Sequence, residues 1–266
     1  MLNKNLIAIM GEMMSGKDTV GKIIVELTGE ESLDYKIKKF AYLPKKIASD
    51  LLNIPIEDFE KREVKDRVLG EEWDRFVIQG GGKERLTHPH FSSMDDVISY
   101  MTKYRLERRS TQITRVSYTV RQFIQVLATE GMRDGVHPSI WGNGLFSNFN
   151  EDSKWVITDW RFREEKDIID KNNGVTIRVI RPLQKRYPRQ AKEYETIFGR
   201  APIRPDFIKW LNNHALKTYN KLGEAMDHSS ETTISSLNAK YTIVNDGTEA
   251  MLYHKVRNIL ENEKVI

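Results

Sequence analysis

Gly11-Glu12-Met13-Met14-Ser15-Gly16-Lys17-Asp18-Thr19 is the stretch that decides the fold of this chain. It follows a short apolar run, Leu6 to Met10, and opens a helical pattern with Val20, Ile23, Ile24 and Leu27 on one face. Strand, glycine-bounded loop and helix, in that order, make the setting in which a phosphate-binding loop works. The glycines let the backbone turn so that successive N–H groups converge on a phosphate at the helix N-terminus. Lys17 then reaches the terminal phosphates, and the expected ligand is a nucleoside triphosphate. One position departs from the usual pattern. Asp18 stands where Ser or Thr would offer Mg²⁺ a hydroxyl, and Thr19 comes one residue later. The competing reading is an ordinary glycine-rich turn ahead of a helix.

Outward from the loop, four further apolar runs read as buried strands: Tyr35–Phe40, Trp155–Thr158, Val175–Ile180 and Tyr241–Val244. Helical patterns separate most of them, which predicts an α/β fold with a five-stranded, doubly wound parallel sheet and flanking helices. Two charged stretches exceed that minimal core. Residues from about Asp58 to Ser117 include Gly80-Gly81-Gly82 and carry Arg105, Arg108, Arg109 and Arg115. Residues from Leu183 to Met226 carry Arg186, Arg189, Arg200 and Arg204 with Pro188, Pro202 and Pro205. Both read as partly helical insertions, the first on the substrate side and the second a lid. Most of their arginines are expected on solvated faces.

Composition narrows the partners. A net charge of +4 over 266 residues gives no whole-protein field for nucleic acid or membrane, but suits a pocket for polyanionic small molecules. No apolar run approaches the ~20 residues of a membrane span. Leu6–Met10 is too short for the apolar region of a signal peptide and is needed as the first strand. The chain has no cysteine, so no disulfide framework or thiolate metal site is expected, and a cytoplasmic setting fits.

The segment Tyr118 to Arg133 reads as one helix and its end. Val120, Phe123, Ile124 and Leu127 follow the core-facing pattern, while Arg121, Gln125 and Thr129 share another face. Glu130 and Arg133 follow, with Gly131 expected to end the helix. Guanidinium groups flanking a polar face suit a second phosphate; an exposed face with a Glu–Arg pair is the alternative. At the end of the Trp155–Thr158 strand, Asp159 is placed to hold a Mg²⁺-bound water or an acceptor phosphate, or to cap the following helix. Arg161 is placed to neutralise charge on a transferred group.

These segments, with Trp141-Gly142-Asn143, Asp227-His228-Ser229-Ser230-Glu231 and Val244-Asn245-Asp246-Gly247-Thr248, occur in the order of a known family. The chain resembles the deoxynucleoside monophosphate kinases of large bacteriophages, P-loop proteins related to adenylate kinase. That resemblance implies one P-loop kinase domain over 1–266, with insertions at about 58–117 and 183–226. It implies ATP and Mg²⁺, and a nucleoside monophosphate as acceptor. Gly11, Met14, Ser15, Gly16, Lys17, Asp18 and Thr19 would hold ATP, with Lys17 bridging its β- and γ-phosphates. The metal would be held through water near Asp18, Thr19 and Asp159. Arg121 and Arg133 would bind the acceptor's phosphate, with Gln125 and Glu130 near its sugar or base. Trp141 would stack on a base, or else be a core aromatic. Arg181 and Lys185 are candidates for the lid cations. A homodimer and a cytoplasmic location, in the host if the chain is of phage origin, are also implied.

Two rivals stay open on the sequence. A related kinase could act on a sugar acid, a phosphomevalonate-like substrate or a coenzyme precursor. A nucleotide-binding module could contact nucleic acid through Arg105–Arg115, against which the near-balanced charge argues.

Overall fold

The computed structural model describes residues 4–80, 91, 93–103, 111–227 and 229–266. The chain gathers into two compact units, Met1–Leu43 with Pro138–Ile266, and Pro44–His137. It opens with β1 (Leu6–Met10), α1 (Lys17–Glu30), β2 (Lys36–Lys38) and α2 (Tyr42–Leu52). Next come α3 (Arg62–Lys65), β3 (Arg75–Gly80), α4 (Met94–Lys103), β4 (Thr111–Val116) and α5 (Val120–Val126), which passes into a π-helix over Leu127–Asp134. The first unit resumes with α6 (Ile140–Phe146), β5 (Trp155–Ile157), α7 (Arg163–Lys171) and β6 (Val175–Ile180). Four helices follow: α8 (Leu183–Arg186), α9 (Pro188–Phe198), α10 (Arg204–Asn212) and α11 (Lys217–Asp227). The short α12 (Ser229–Thr232), then β7 (Tyr241–Val244) and α13 (Glu249–Asn262) complete the chain.

The first unit is built on a five-stranded sheet in the order β2-β5-β1-β6-β7, parallel throughout. β1 lies at its centre, with Ile7 opposite both Val156 and Val175. All five of its residues are fully buried, as a parallel strand covered on both faces requires. Alternation sorts them. Ile7 and Ile9 pack with Val20, Ile24 and Leu27 of α1 and Val256 and Leu260 of α13. Leu6, Ala8 and Met10 face Trp155, Ile157, Trp160 and Ile169 on the other side. Each large aliphatic side chain so buried contributes about 1.5–3 kcal/mol, which anchors the loop that leaves β1. Strand order reverses beside β1, so its carboxyl end is where a ligand crevice forms in such sheets.

Three of the five expected strands have the observed limits, and β5 ends one residue earlier than read. Tyr35–Phe40 contracts to Lys36–Lys38, because the backbone N–H groups of Phe40 and Ala41 are donated to the Asp159 carboxylate instead of a neighbouring strand.

The 183–226 stretch is helical with a core of its own, in which Leu183, Tyr187, Tyr194, Phe207, Leu211, Tyr219 and Met226 are buried together. In the second unit, β3 and β4 form an antiparallel ladder, and Phe91, Val97 and Met101 are buried with Phe76 and Ile113 against them. The 58–117 stretch therefore holds an antiparallel ladder as well as helices. Gly81, Gly82, Arg105, Arg108 and Arg109 lie outside the described residues. Arg115 pairs with Asp74 at 2.6 Å and Glu71 at 3.3 Å.

α5 starts on a capping box, in which Thr119 and Gln122 exchange side-chain and backbone hydrogen bonds. Val120 is buried, and Phe123, Ile124 and Leu127 pack in the same cluster, as the periodicity predicts. Gly131 does not end this helix. The chain runs on in π geometry to Asp134, since Gly131 lacks the positive φ of a helix-terminating glycine.

Candidate active site

The loop after β1 is shaped by two glycines that tolerate no side chain. A Cβ at Gly11 would lie 2.4 Å from Ser15 Oγ and 2.7 Å from the Val179 carbonyl oxygen. Gly16 has φ +94°, and a Cβ there would lie 2.3 Å from Asn245 Nδ2. Met14 also takes a left-handed conformation, with φ 61° and its side chain exposed. Ser15 N donates to Glu12 O at 3.0 Å to close the turn, and Val20 N donates to Gly16 O at 3.0 Å to start α1. The first N–H groups of α1, a 14-residue helix, have no carbonyl of their own turn to meet, which makes this end an anion site. Asn245 Nδ2 donates to Ser15 O at 2.9 Å, so the turn after β7 holds the loop. Ser15 Oγ is buried and has no hydrogen-bond partner among the described residues.

Charged groups surround this loop. Lys17 is half-buried, and burial together with the nearby Arg161 guanidinium holds its ammonium below the usual lysine range. Its ammonium forms no salt bridge among the described residues. Arg161 Nη1 donates to Glu231 Oε1 at 2.5 Å, and the other oxygen of that buried carboxylate accepts from Met13 N at 2.7 Å. Glu231 thus ties a cation after β5 to the loop backbone. Asp18 sits 3.1 Å from Lys39 Nζ and accepts from Thr158 Oγ1 at 3.2 Å. Burial raises its pKa, but these partners outweigh that and hold it below its usual value. Thr19 is half-buried at the start of α1.

Asp159 accepts from Phe40 N at 2.9 Å and Ala41 N at 3.0 Å, one bond to each carboxylate oxygen. Burial raises its pKa despite those bonds. It does not cap the following helix. Glu165 takes that role from within α7, accepting with Oε2 from Arg161 N at 2.7 Å and Phe162 N at 3.2 Å. Burial, with the Asp159 charge nearby, pushes Glu165 up to about 8.

The remaining candidates are placed as follows. Trp141 lies in α6 and is 8% exposed. In the second unit, Arg121 is exposed and pairs with Asp66 at 3.4 Å. Gln125 lies on α5, while Glu130 and Arg133 lie on the π-helix; Glu130 is exposed and Arg133 half-buried. The change from four-residue to five-residue bonding at Leu127 rotates later side chains off the face that Arg121 and Gln125 share. A π-helix is rare and frequently found at functional sites, which marks this segment. Arg181 is half-buried just past β6, and Lys185 Nζ bonds the Asp246 carbonyl oxygen. His228 lies outside the described residues.

Sequence reasoning gave no role to Glu12, Lys39, Glu165 or Asn245, and expected most arginines of the 183–226 stretch, without singling out Arg186 or Arg204, on solvated faces. Arg186 is buried, 2.7 Å from Glu12, and Arg204 Nη1 is 3.0 Å from the same carboxylate. The signal was Glu12 itself: an acid inside an anion-binding loop demands cations.

No curated protein matches the chain. A family model described as deoxynucleotide monophosphate kinase matches residues 5–196, from the start of β1 into α9 and across both units. That match covers well over half of the chain, including the phosphate-binding loop, the α5–π segment and the Asp159–Arg161 strand end. The chain belongs to the deoxynucleotide monophosphate kinase family, enzymes that transfer a phosphoryl group from ATP to a deoxynucleoside monophosphate.

Proposed function

We propose that the Gly11–Thr19 loop holds the triphosphate of ATP and that Lys17 and Arg161 neutralise charge on the transferred group. The observation that carries this reading is Lys17: a half-buried ammonium beside a second cation, at a helix N-terminus with no salt bridge among the described residues. Such a group is stabilised by an incoming polyanion. Backbone N–H groups of Met14 to Lys17 surround the phosphates, and the buried Ser15 hydroxyl supplies a further polar group.

The described residues hold no cluster of three or more His, Cys, Asp or Glu able to cage a metal. Asp18 and Asp159 already have partners. That donor set fits Mg²⁺ carried on phosphate oxygens and held through its waters near Asp18, Thr19 and Asp159. When bound, the metal draws charge from the phosphate oxygens. The acceptor's phosphate is assigned to Arg121 and Arg133, and its sugar or base to Gln125, Glu130 and Trp141. It is already an anion, so the reaction needs no strong general base. Positioning and charge neutralisation supply the catalysis, and one well-aimed arginine contributes on the order of 10³–10⁵ in rate.

We read the 58–117 and 183–226 stretches as a substrate-side insertion and a lid on one kinase domain, working in the cytoplasm, of an infected host for a phage chain, and as a homodimer. No helix among the described residues is long and apolar enough to cross a membrane. The test is turnover of a panel of ribo- and deoxyribonucleoside monophosphates with Mg·ATP, read by ADP release. Lys17→Ala is expected to abolish transfer, and Arg133→Ala to lose it while still binding ATP. Near-normal turnover and acceptor KM in Arg133→Ala would remove the acceptor assignment.

A further inference from the structure

Glu12 sits in a loop built for phosphate, where a carboxylate repels the ligand unless cations hold it. Two do, and both come from the helices that follow β6. Arg186, the last residue of α8, is 6% exposed; its Nη1 lies 2.7 Å from Glu12 Oε2 and donates to the Met13 carbonyl oxygen at 3.2 Å. Arg204 is the first residue of α10, where the positive end of the helix disfavours a cation. Its Nη1 donates to the same Glu12 oxygen at 3.0 Å and its Nη2 to the Met226 carbonyl oxygen at 2.6 Å. The Met13 side chain packs against the apolar core of α8–α11. Glu231 takes the Met13 N–H. Two guanidinium groups share one carboxylate, so the balance left beside the loop is positive and suits a phosphate chain.

We propose that Glu12 is a positioning residue. Through Arg186 and Arg204 it ties the phosphate-binding loop to the α8–α11 bundle, and this brace sets the loop backbone in its phosphate-binding shape before the nucleotide arrives. A donor array that is already in place costs nothing to organise when the ligand binds, so the brace acts on ATP and not on the acceptor. The inference rests on the reading of Gly11–Thr19 as the ATP site.

The experiment is steady-state kinetics on the full-length enzyme carrying Glu12→Gln, Arg204→Met or both, with Lys17→Ala as the control for that reading. Glu12→Gln is expected to raise the KM for ATP by on the order of tenfold, with the acceptor KM within about twofold of the parent. Arg204→Met should do the same, and the double variant should be no worse than the more affected single one. A fall in kcat alone, with both KM values unchanged, would mean a loss of folded enzyme and would overturn the proposal. So would additive effects in the double variant, or an unchanged ATP KM in Glu12→Gln while Lys17→Ala loses transfer. If Lys17→Ala itself keeps normal ATP kinetics, it is the assignment of the loop that fails. Arg204 is 22% exposed at its side chain, so Arg204→Met carries the same test where Glu12→Gln lowers the soluble yield. Arg204→Lys, which keeps a cation for Glu12, is expected to hold the ATP KM nearer the parent's; equal ATP KM increases in Arg204→Met and Arg204→Lys would overturn the proposal.

Discussion

Replacing Glu165 by glutamine changes how the stability of this enzyme depends on pH. Glu165 is 9% exposed and accepts two backbone N–H groups on one oxygen. Burial raises its pKa from 4.5 to about 8. Between those values the folded chain keeps a proton that the unfolded chain has released. Stability therefore falls as pH rises through the window, since unfolding then releases a proton. The contribution is fully present below pH 4.5 and gone above about 8. The window spans about three and a half pH units at ~1.4 kcal/mol each, so the swing approaches ~5 kcal/mol. Glu165→Gln keeps an acceptor for Arg161 N and Phe162 N but cannot titrate. The measurement is urea unfolding of parent and variant at pH ~5.5, ~6.5, ~7.5 and ~8.5, taking the difference at each pH. Subtraction removes the titrations the two proteins share. The parent's stability relative to the variant should fall by ~1–1.4 kcal/mol per pH unit up to pH ~8 and then level off. A difference that stays flat across the range, or that grows with pH, would show that Glu165 is ionised in the folded enzyme and refute the reasoning.

Other perturbations follow from the loop. Gly16→Ala must hold a side chain at φ +94° and 2.3 Å from Asn245, so it should lose about 1–2 kcal/mol in thermal or urea unfolding, with weakened ATP binding by calorimetry. Unchanged stability and unchanged ATP affinity together would show that the loop does not depend on that conformation. Glu231→Ala removes a buried carboxylate that serves both Arg161 and Met13 N and should cost ~3–5 kcal/mol, while Glu231→Gln, whose single oxygen can still accept from one of the two donors, should cost only ~1–3 kcal/mol. Chemical denaturation separates the two, and equal losses in both would mean that the hydrogen bond glutamine retains contributes nothing.

The sheet is legible in the sequence because its central strands are buried on both faces. Short apolar runs such as Leu6–Met10 and Val175–Ile180 are the mark of a strand covered from both sides, and their limits agree with the structure. β2 reads too long because nothing local shows that Asp159, 119 residues ahead of Phe40, takes its N–H. The α5 segment shows a different limit. Apolar spacing finds the buried face of a helix, and Val120, Phe123, Ile124 and Leu127 do share one cluster. Spacing does not distinguish four-residue from five-residue bonding, and Gly131 signals an end only where φ turns positive. The face proposed for Arg121, Gln125 and Thr129 therefore changes partway along.

Charge holds the loop in a way that a residue-by-residue reading misses. Lys17, Asp18 and Asp159 could be assigned from the loop and strand ends, but the groups that fix them arrive from several distant segments. Lys39 meets Asp18, Asn245 meets Ser15, Glu231 meets Met13 and Arg161, and Arg186 and Arg204 meet Glu12. A lid arginine and a surface arginine look alike in a string of residues. They differ in the carboxylate each must satisfy, and the chain states that need openly at Glu12. An acid within an anion-binding loop is tolerable only if opposite charges reach it, and a buried guanidinium is tolerable only if an acid does. Glu12 and Arg186 meet each other's requirement, which is why the 183–226 stretch is joined to the phosphate-binding loop.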